Sequence, residues 1–234
     1  MSRVSLILTA HGSADPRSGP VVHLIAREIR ALRPGLDVRV AFCERTEPNL
    51  RDVLGDLEGP GIVTPVLLAS AYHARVDIPA MLAEANAPIA QADVLGEDTR
   101  LVEVLEQRIT EIDLGARRDI GVLVVAVGSS HSRANAATAT LAGLLSGDFA
   151  GVEVAYATGP QPAVGDGIAA LRRRGVRHIA VAPWFIAPGR ITDRVAAVAA
   201  KHGVAMAEPL GAHPLVAATV LDRFDHAVAQ RLAA

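Results

Sequence analysis

Apolar runs alternate with amphipathic stretches along the whole chain. Residues 4–10 form a short, continuous apolar run, which is typical of a strand buried on both faces. The next stretch has helical spacing, with apolar positions at Val21, Leu24, Ile25, Ile29 and Leu32, and Pro34-Gly35 ends it. The same signals predict strands at 38–42, 62–68 and 89–95 and helices near 77–85 and 98–112. This βαβα order predicts a mainly parallel sheet with helices on both faces.

The pattern then occurs a second time. Residues 8–13 match residues 124–129, residues 40–42 match 154–156, and residues 65–69 match 183–187. The spacing between matched segments drifts by a few residues, as loop insertions and deletions produce after a duplication. We therefore predict an α/β protein of two similar lobes, residues 1–115 and 116–234. Each is expected to be a mainly parallel sheet flanked by helices, and the two are expected to face each other across a cleft.

Three polar residues of the first half fall at predicted strand ends. His11 follows the first strand, Glu44 follows the second, and His73 lies in the loop after the third. Ligands of open parallel sheets bind outside the carboxyl ends of the strands, where these side chains can converge if the strands are neighbours. Two imidazoles and a carboxylate form a ligand set suited to Fe²⁺, Co²⁺, Ni²⁺ or Zn²⁺. Either histidine can also act as a base.

The second copy of the repeat has different residues at the three matched positions. Val127, Thr158 and Ile191 stand where the first half has His11, Glu44 and His73. A fold that needed the polar groups structurally would retain some of them in both copies. We therefore interpret the three as functional and expect metal to bind in the first lobe only.

Two further residues near the cluster have competing interpretations. Asp77 precedes Ile78-Pro79 and is either a helix N-cap or a partner that orients His73. Cys43 directly precedes Glu44, so strand alternation points it to the opposite face, where core packing is expected. The remaining histidines have no convergent partners and are expected at the surface or at helix caps.

Composition excludes several classes of function. The 234 residues carry a formal charge of −2, which gives no electrostatic case for nucleic acid, and no apolar run is long enough to span a bilayer. A single cysteine excludes an internal disulfide framework and fits a reducing cytoplasm. Glycine-rich phosphate loops are also missing from the sequence. We expect a cytoplasmic protein with no nucleic-acid or membrane partner. It is expected to be a monomer, since two half-domains in one chain can replace a homodimer.

Three motifs in order resemble the sirohydrochlorin chelatases, which are ATP-independent class II chelatases. They are Thr9-Ala10-His11-Gly12-Ser13, then Ala41-Phe42-Cys43-Glu44 with Pro48, and then Pro65-Val66-Leu67-Leu68-Ala69 followed by His73-Ala74-Arg75-Val76-Asp77-Ile78-Pro79. The resemblance covers essentially the whole chain, because the long form of that family is a tandem repeat with its active site in the N-terminal half. The family's metal-handling histidines fall on His11 and His73, and its catalytic carboxylate falls on Glu44.

The resemblance implies insertion of a divalent metal into sirohydrochlorin, a macrocycle rimmed by carboxylates. The metal is then a substrate, Fe²⁺ for sirohaem or Co²⁺ for cobalamin, and no permanently bound cofactor is expected. Donors to the ring carboxylates are expected in the loops that face the cleft, namely Ser13, Arg17, Arg45, Arg75, Arg133 and Arg190. Ser13 recurs as Ser129, so structure alone also explains it. A non-catalytic metal- or tetrapyrrole-binding protein is the alternative from another class.

Overall fold

The computed structural model describes residues 4–85, 87–145 and 147–233. The strands in chain order are β1 (Ser5–Ala10), β2 (Val38–Phe42), β3 (Gly61–Pro65), β4 (Ile89–Gln91), β5 (Ile120–Ala126), β6 (Gly151–Tyr156), β7 (His178–Pro183) and β8 (Ala205–Met206). The α-helices in chain order are α1 (Ser18–Leu32), α2 (Leu50–Gly55), α3 (Ile78–Ala83), α4 (Thr99–Thr110), α5 (Ser132–Ala139), α6 (Leu141–Leu145), α7 (Val164–Arg173), α8 (Arg190–Lys201) and α9 (Pro214–Ala233).

Two compact units divide the chain, and each contains one four-stranded parallel sheet with helices on both faces. The strand order is β2-β1-β3-β4 in the first unit and β6-β5-β7-β8 in the second. The predicted fold class is therefore confirmed. In each sheet the first strand of the repeat is central, because a right-handed crossover can place the following strands on either side of it.

The first unit forms its core on both faces of β1. Leu6, Ile7 and Leu8 are fully buried, as the continuous apolar run predicts. On one face, α1 buries Val22 and Ile25 with their helical neighbours, and α9 packs beside it. On the other face, Ile7 belongs to an apolar cluster with residues of α2 and α3. This packing leaves the carboxyl ends of β1, β2 and β3 level with one another.

The compact units do not follow the predicted boundary between residues 115 and 116. The first unit runs to Gly96 and resumes at Ala212, and the second is Glu97–Gly211. Helix α4 therefore packs on β7 and α6 of the second unit, and α9 packs on β3 and α1 of the first. The boundaries of the sequence repeat and of the compact units differ because the last helix of each copy packs with the other copy. Helix α4, from the first copy, belongs to the second unit, and α9, from the second copy, belongs to the first unit.

Several element boundaries differ from the prediction. The third strand ends at Pro65 rather than at residue 68. The fourth strand ends at Gln91 rather than at 95. The short helix α2, which Asn49 caps through its side chain, was not predicted. None of the described helices combines the length and the apolar character needed to cross a membrane.

Candidate active site

His11 lies directly after β1, the strand that hydrogen-bonds to both β2 and β3. Its carbonyl accepts the Glu44 N–H at 3.0 Å, so the chain that leaves β2 runs beside it. Gly12 has a φ of 92°, and a Cβ at this position would overlap the Glu44 carbonyl oxygen. Only glycine combines this backbone conformation with this close approach. The paired ends of β1 and β2 thus fix His11 and Glu44 side by side.

The Glu44 carboxylate faces the His11 ring. Its Oε1 atom lies 3.6 Å from His11 Nδ1 and 3.0 Å from Arg45 Nε. Although 41% of the His11 side chain is exposed, its Nδ1 atom is buried and has no hydrogen-bond partner among the described residues. An imidazole has a second ring nitrogen, Nε2, so the exposed part of the His11 ring can still accept a proton or bind a metal.

His73 begins a π-helical turn, His73–Asp77, that continues into α3. Its Nδ1 lies 2.6 Å from Asp77 Oδ2, and Asp77 makes no side-chain cap to α3. The interpretation of Asp77 as the partner that orients His73 is therefore correct, and the N-cap interpretation is wrong. A carboxylate accepts the Nδ1 proton, which leaves the Nε2 lone pair of His73 available to a metal.

The two imidazoles converge. The ring centroids of His11 and His73 are 3.8 Å apart, and their planes meet at 48°. However, the described residues contain no group of three His, Cys, Asp or Glu side chains that could hold a metal ion. The predicted three-ligand set is therefore not preformed among the described residues, and the Glu44 carboxylate is paired with Arg45 instead. An open pair of imidazoles suits an ion that is passed on, whereas structural sites surround the metal completely.

We expect Asp77→Asn to weaken metal binding while the protein stays folded. An amide at this position can donate to Nδ1, which moves the ring proton of His73 to Nε2 and blocks that nitrogen. Loss of a carboxylate that orients a metal-binding histidine typically costs about 10–100-fold in affinity or activity. Calorimetric titration with Co²⁺ measures the change. Asp56→Asn, at an exposed carboxylate that ends α2, is the matched control. Equal Co²⁺ affinities of Asp77→Asn and the control would contradict the orienting role.

The arginines expected as ring donors in the first unit already have acceptors in the protein. The Arg17 guanidinium forms two hydrogen bonds to Asp15, at 2.9 and 2.7 Å, and Arg75 Nε donates to Ser70 Oγ at 3.1 Å. The Ser13 hydroxyl accepts the Asp15 N–H at 3.0 Å. That contact recurs in the second unit, so it is structural. Contact of these side chains with a ring stays a prediction.

The two remaining expected donors belong to the second unit. Arg133 lies in α5 and Arg190 begins α8, and both are exposed. Their side chains are accessible to an anion, and their contact with a macrocycle likewise stays a prediction.

Cys43 is not part of the site. Its side chain lies in the apolar core of the first unit with Ile7 and Met81, as predicted. Burial, together with the nearby carboxylates of Asp77 and Glu44, raises the pKa of the thiol to about 11. The protonated thiol is a poor metal ligand at neutral pH, because metals bind the thiolate.

The second unit retains the backbone of the site without its chemistry. Val127 takes the place of His11 and accepts the Thr158 N–H at 3.0 Å, just as His11 accepts the Glu44 N–H. The Thr158 hydroxyl also donates to the Val127 carbonyl, at 2.8 Å. These two matched pairs, taken from the sequence repeat, therefore occupy equivalent backbone positions.

The third matched position also has a different side chain in the second unit. Ile191 stands in the first turn of α8 and packs against the apolar core of the second unit, whereas His73 faces a second imidazole. The described residues of the second unit thus form no imidazole pair at the positions that match His11 and His73.

Sequence reasoning missed two residues beside the site. Thr46 ties the loop after β1 to the loop after β2, because its hydroxyl accepts the Ser13 N–H and donates to the Ser13 carbonyl, each at 3.0 Å. Tyr72, which is exposed, meets the His73 ring edge-on, with centroids 5.9 Å apart. The spacing of residues along the sequence does not indicate either contact, since both depend on how the loops fold.

Comparison with known proteins gives two matches to one family. The profile of the CbiX family matches residues 5–112 and again residues 121–227. A relative named sirohydrochlorin ferrochelatase, from Priestia megaterium, is 27% identical over 192 residues, which is 70% of this chain and 72% of the relative. A relative named sirohydrochlorin cobaltochelatase, from Methanopyrus kandleri, is 29% identical over 137 residues, which is 46% of this chain and 96% of the relative.

Solved structures share the fold over nearly the whole chain. SirB from Bacillus subtilis with Fe³⁺ superposes with a TM-score of 0.83 at 19% identity, covering 99% of this chain and 98% of SirB. CbiX, described as the terminal enzyme for biosynthesis of siroheme in denitrifying bacteria, has a TM-score of 0.74 at 23% identity, covering 95% and 99%. At these identities the likeness demonstrates the fold.

Proposed function

The chain belongs to the CbiX family, and on that basis we propose that it is a sirohydrochlorin chelatase that inserts Fe²⁺ into the macrocycle. The observation that carries the proposal is the imidazole pair of His11 and His73, 3.8 Å apart at the carboxyl edge of the first sheet and next to Glu44. Relatives named as sirohydrochlorin chelatases add support from outside the chain.

Metal insertion requires an exchange of charge. One divalent ion enters the ring and two pyrrole protons leave, so the macrocycle has the same net charge before and after insertion. The protein must therefore offer a weak metal ligand and a proton acceptor close to the same point. His73 suits the first role, since Asp77 holds its Nδ1 and leaves Nε2 for the ion.

His11 and Glu44 suit the second role. The partly exposed His11 ring can accept a pyrrole proton, and the Glu44 carboxylate 3.6 Å from its Nδ1 stabilises the resulting imidazolium. Both side chains remain partly exposed, at 41% and 45%, so a proton can pass from them to solvent. At the matched positions of the second unit stand Val127 and Ile191, whose side chains suit neither role.

Anaerobic spectrophotometry tests the activity. Sirohydrochlorin is mixed with Fe²⁺, and the change in the main visible absorption band is followed with and without the protein. We expect faster metallation with the protein and a rate that is proportional to its concentration. Tight binding of ring or metal without acceleration would indicate the non-catalytic alternative instead.

Cobalt is the second candidate metal, because several relatives are named sirohydrochlorin cobaltochelatase. The ligands present, imidazole and carboxylate, do not discriminate between Fe²⁺ and Co²⁺. Running the same assay with both metals under competition ranks them. A higher kcat/KM for Co²⁺ would assign the chain to cobalt insertion.

We expect the metal to bind in the first unit only. Crystals soaked in Co²⁺ should give their principal anomalous peak beside His11 and His73, because the second unit has apolar side chains at the matched positions. His11→Ala crystals, soaked in the same way, are the control and should lose that peak. A principal peak beside Val127 or His131 would contradict the assignment.

A further inference from the structure

We propose that Arg45 is a positioning residue that holds the Glu44 carboxylate toward His11; the inference rests on the chelatase function proposed above. The ion pair joins Arg45 Nε to Glu44 Oε1 at 3.0 Å, and the same oxygen lies 3.6 Å from His11 Nδ1. One carboxylate oxygen is thus directed by a guanidinium on one side and faces the candidate proton acceptor on the other.

The ion pair depends on an unusual turn of the backbone. Adjacent side chains of an extended chain point to opposite sides, so neighbours such as Glu44 and Arg45 do not normally meet. Arg45 has a φ of 61°, and the Thr46 N–H donates to the Glu44 carbonyl at 2.8 Å. These contacts close a γ-turn of the rare, strained form with positive φ at its centre. The turn returns the guanidinium to the carboxylate that precedes it.

The second copy of the repeat shows that the fold does not require an arginine here. Gly159, with a φ of 107°, occupies the matched position after Thr158. Glycine adopts positive φ without the steric cost that a side chain incurs. The two turns differ in detail, since Pro160 has no N–H to close a γ-turn as Thr46 does. The first unit nevertheless has a non-glycine residue with positive φ at this position, and only the first unit has a carboxylate directly before it. Strain retained in this way is characteristic of functional sites.

Arg45→Gly separates this role from a structural one. Glycine accommodates the same turn, so the variant removes the guanidinium and leaves the backbone in place. We expect kcat for metal insertion to fall at least about threefold, the low end of the coupling found between contacting residues, with KM for sirohydrochlorin unchanged. We also expect Tm to rise by about 2 °C, because the strain is relieved. A merely structural role would not lower kcat while raising Tm.

The matched control is Asp113→Gly. Arg45 and Asp113 are the non-glycine residues with positive φ in the described parts of the chain, and Asp113 is exposed, beyond α4. Its change to glycine relieves a similar backbone conformation and should leave kcat and KM at wild-type values. Arg45→Lys, which retains a cation able to pair with Glu44, should recover part of the lost kcat.

A double-mutant cycle with Glu44→Gln completes the test. If Arg45 acts through the carboxylate, Arg45→Gly should have no further effect on kcat in the Glu44→Gln background. Additive effects, an unchanged kcat, or a rise in KM alone would overturn the proposal; the last result would assign Arg45 to the ring carboxylates. Inactivity of the wild-type protein would refute the chelatase function and this inference with it, whereas an active wild type matched by Arg45→Gly would refute only the inference.

Discussion

His11→Ala will reduce metal insertion to the rate observed without protein. His11 directly follows the central strand β1, and its carbonyl is hydrogen-bonded to the Glu44 N–H, so its backbone is held in place. A rigidly placed group is what catalysis by orientation requires. His11 also contributes a partly exposed ring that forms one half of the imidazole pair. A single change therefore removes both a proton acceptor and a metal-facing ring.

The loss should be at least about 100-fold, since general-base catalysis alone typically contributes about 10²–10⁴-fold. The assay is the anaerobic spectral change with Fe²⁺ at saturating sirohydrochlorin. His23→Ala, at an exposed histidine of α1 in the same unit, is the matched control and should retain the wild-type rate. Residual activity of His11→Ala above one tenth of wild type would show that His73 and Glu44 suffice, and the role assigned to His11 would be wrong.

Glu44→Gln will slow insertion at least about tenfold and leave binding of sirohydrochlorin nearly intact. Glutamine retains the size of the side chain and its acceptor oxygen, but it removes the charge that would stabilise a protonated His11. Ring binding should survive because the macrocycle is an anion, so loss of a nearby negative charge cannot weaken it electrostatically. Its affinity should rise slightly, if it changes at all.

Two measurements separate these effects. Insertion is followed anaerobically with metal, and ring affinity is measured without metal by fluorescence or absorbance titration. Glu58→Gln is the matched control, because Glu58 is an exposed carboxylate of the same unit in the loop that precedes β3, at the opposite edge of the sheet. Wild-type turnover by Glu44→Gln would exclude the proton-handling role. A large loss of ring affinity would mean that Glu44 contacts the macrocycle itself.

The sequence by itself determined the two copies and their layered α/β structure. Buried parallel strands have continuous apolar runs and surface helices have apolar positions with a 3.6-residue period. Both patterns can therefore be recognised in the sequence. The same reasoning located the candidate site, because strand ends at one edge of a parallel sheet are brought together by the pairing of the strands. Comparison of the copies then distinguished His11, Glu44 and His73 from residues that the fold needs.

Only the tertiary structure decided which groups hold those side chains. Asp77 can cap α3 or orient His73, and local sequence permits both; the π-helical turn that places its carboxylate 2.6 Å from the ring selects the second. Arg45 was expected at the ring carboxylates, yet a turn with positive φ pairs it with Glu44. Such contacts depend on a few backbone dihedral angles in loops. Loops have no periodic sequence pattern from which these contacts could be predicted.

The packing partner of the last helix of each copy could likewise not be predicted from the sequence. Helices α4 and α9 have the apolar stripe of any helix that lies on a sheet, and that stripe specifies burial without specifying a partner. In the folded chain α4 completes the core of the second unit and α9 that of the first. Hydrophobic burial is non-directional, so the choice between two similar sheets is made by the tertiary packing of the whole chain.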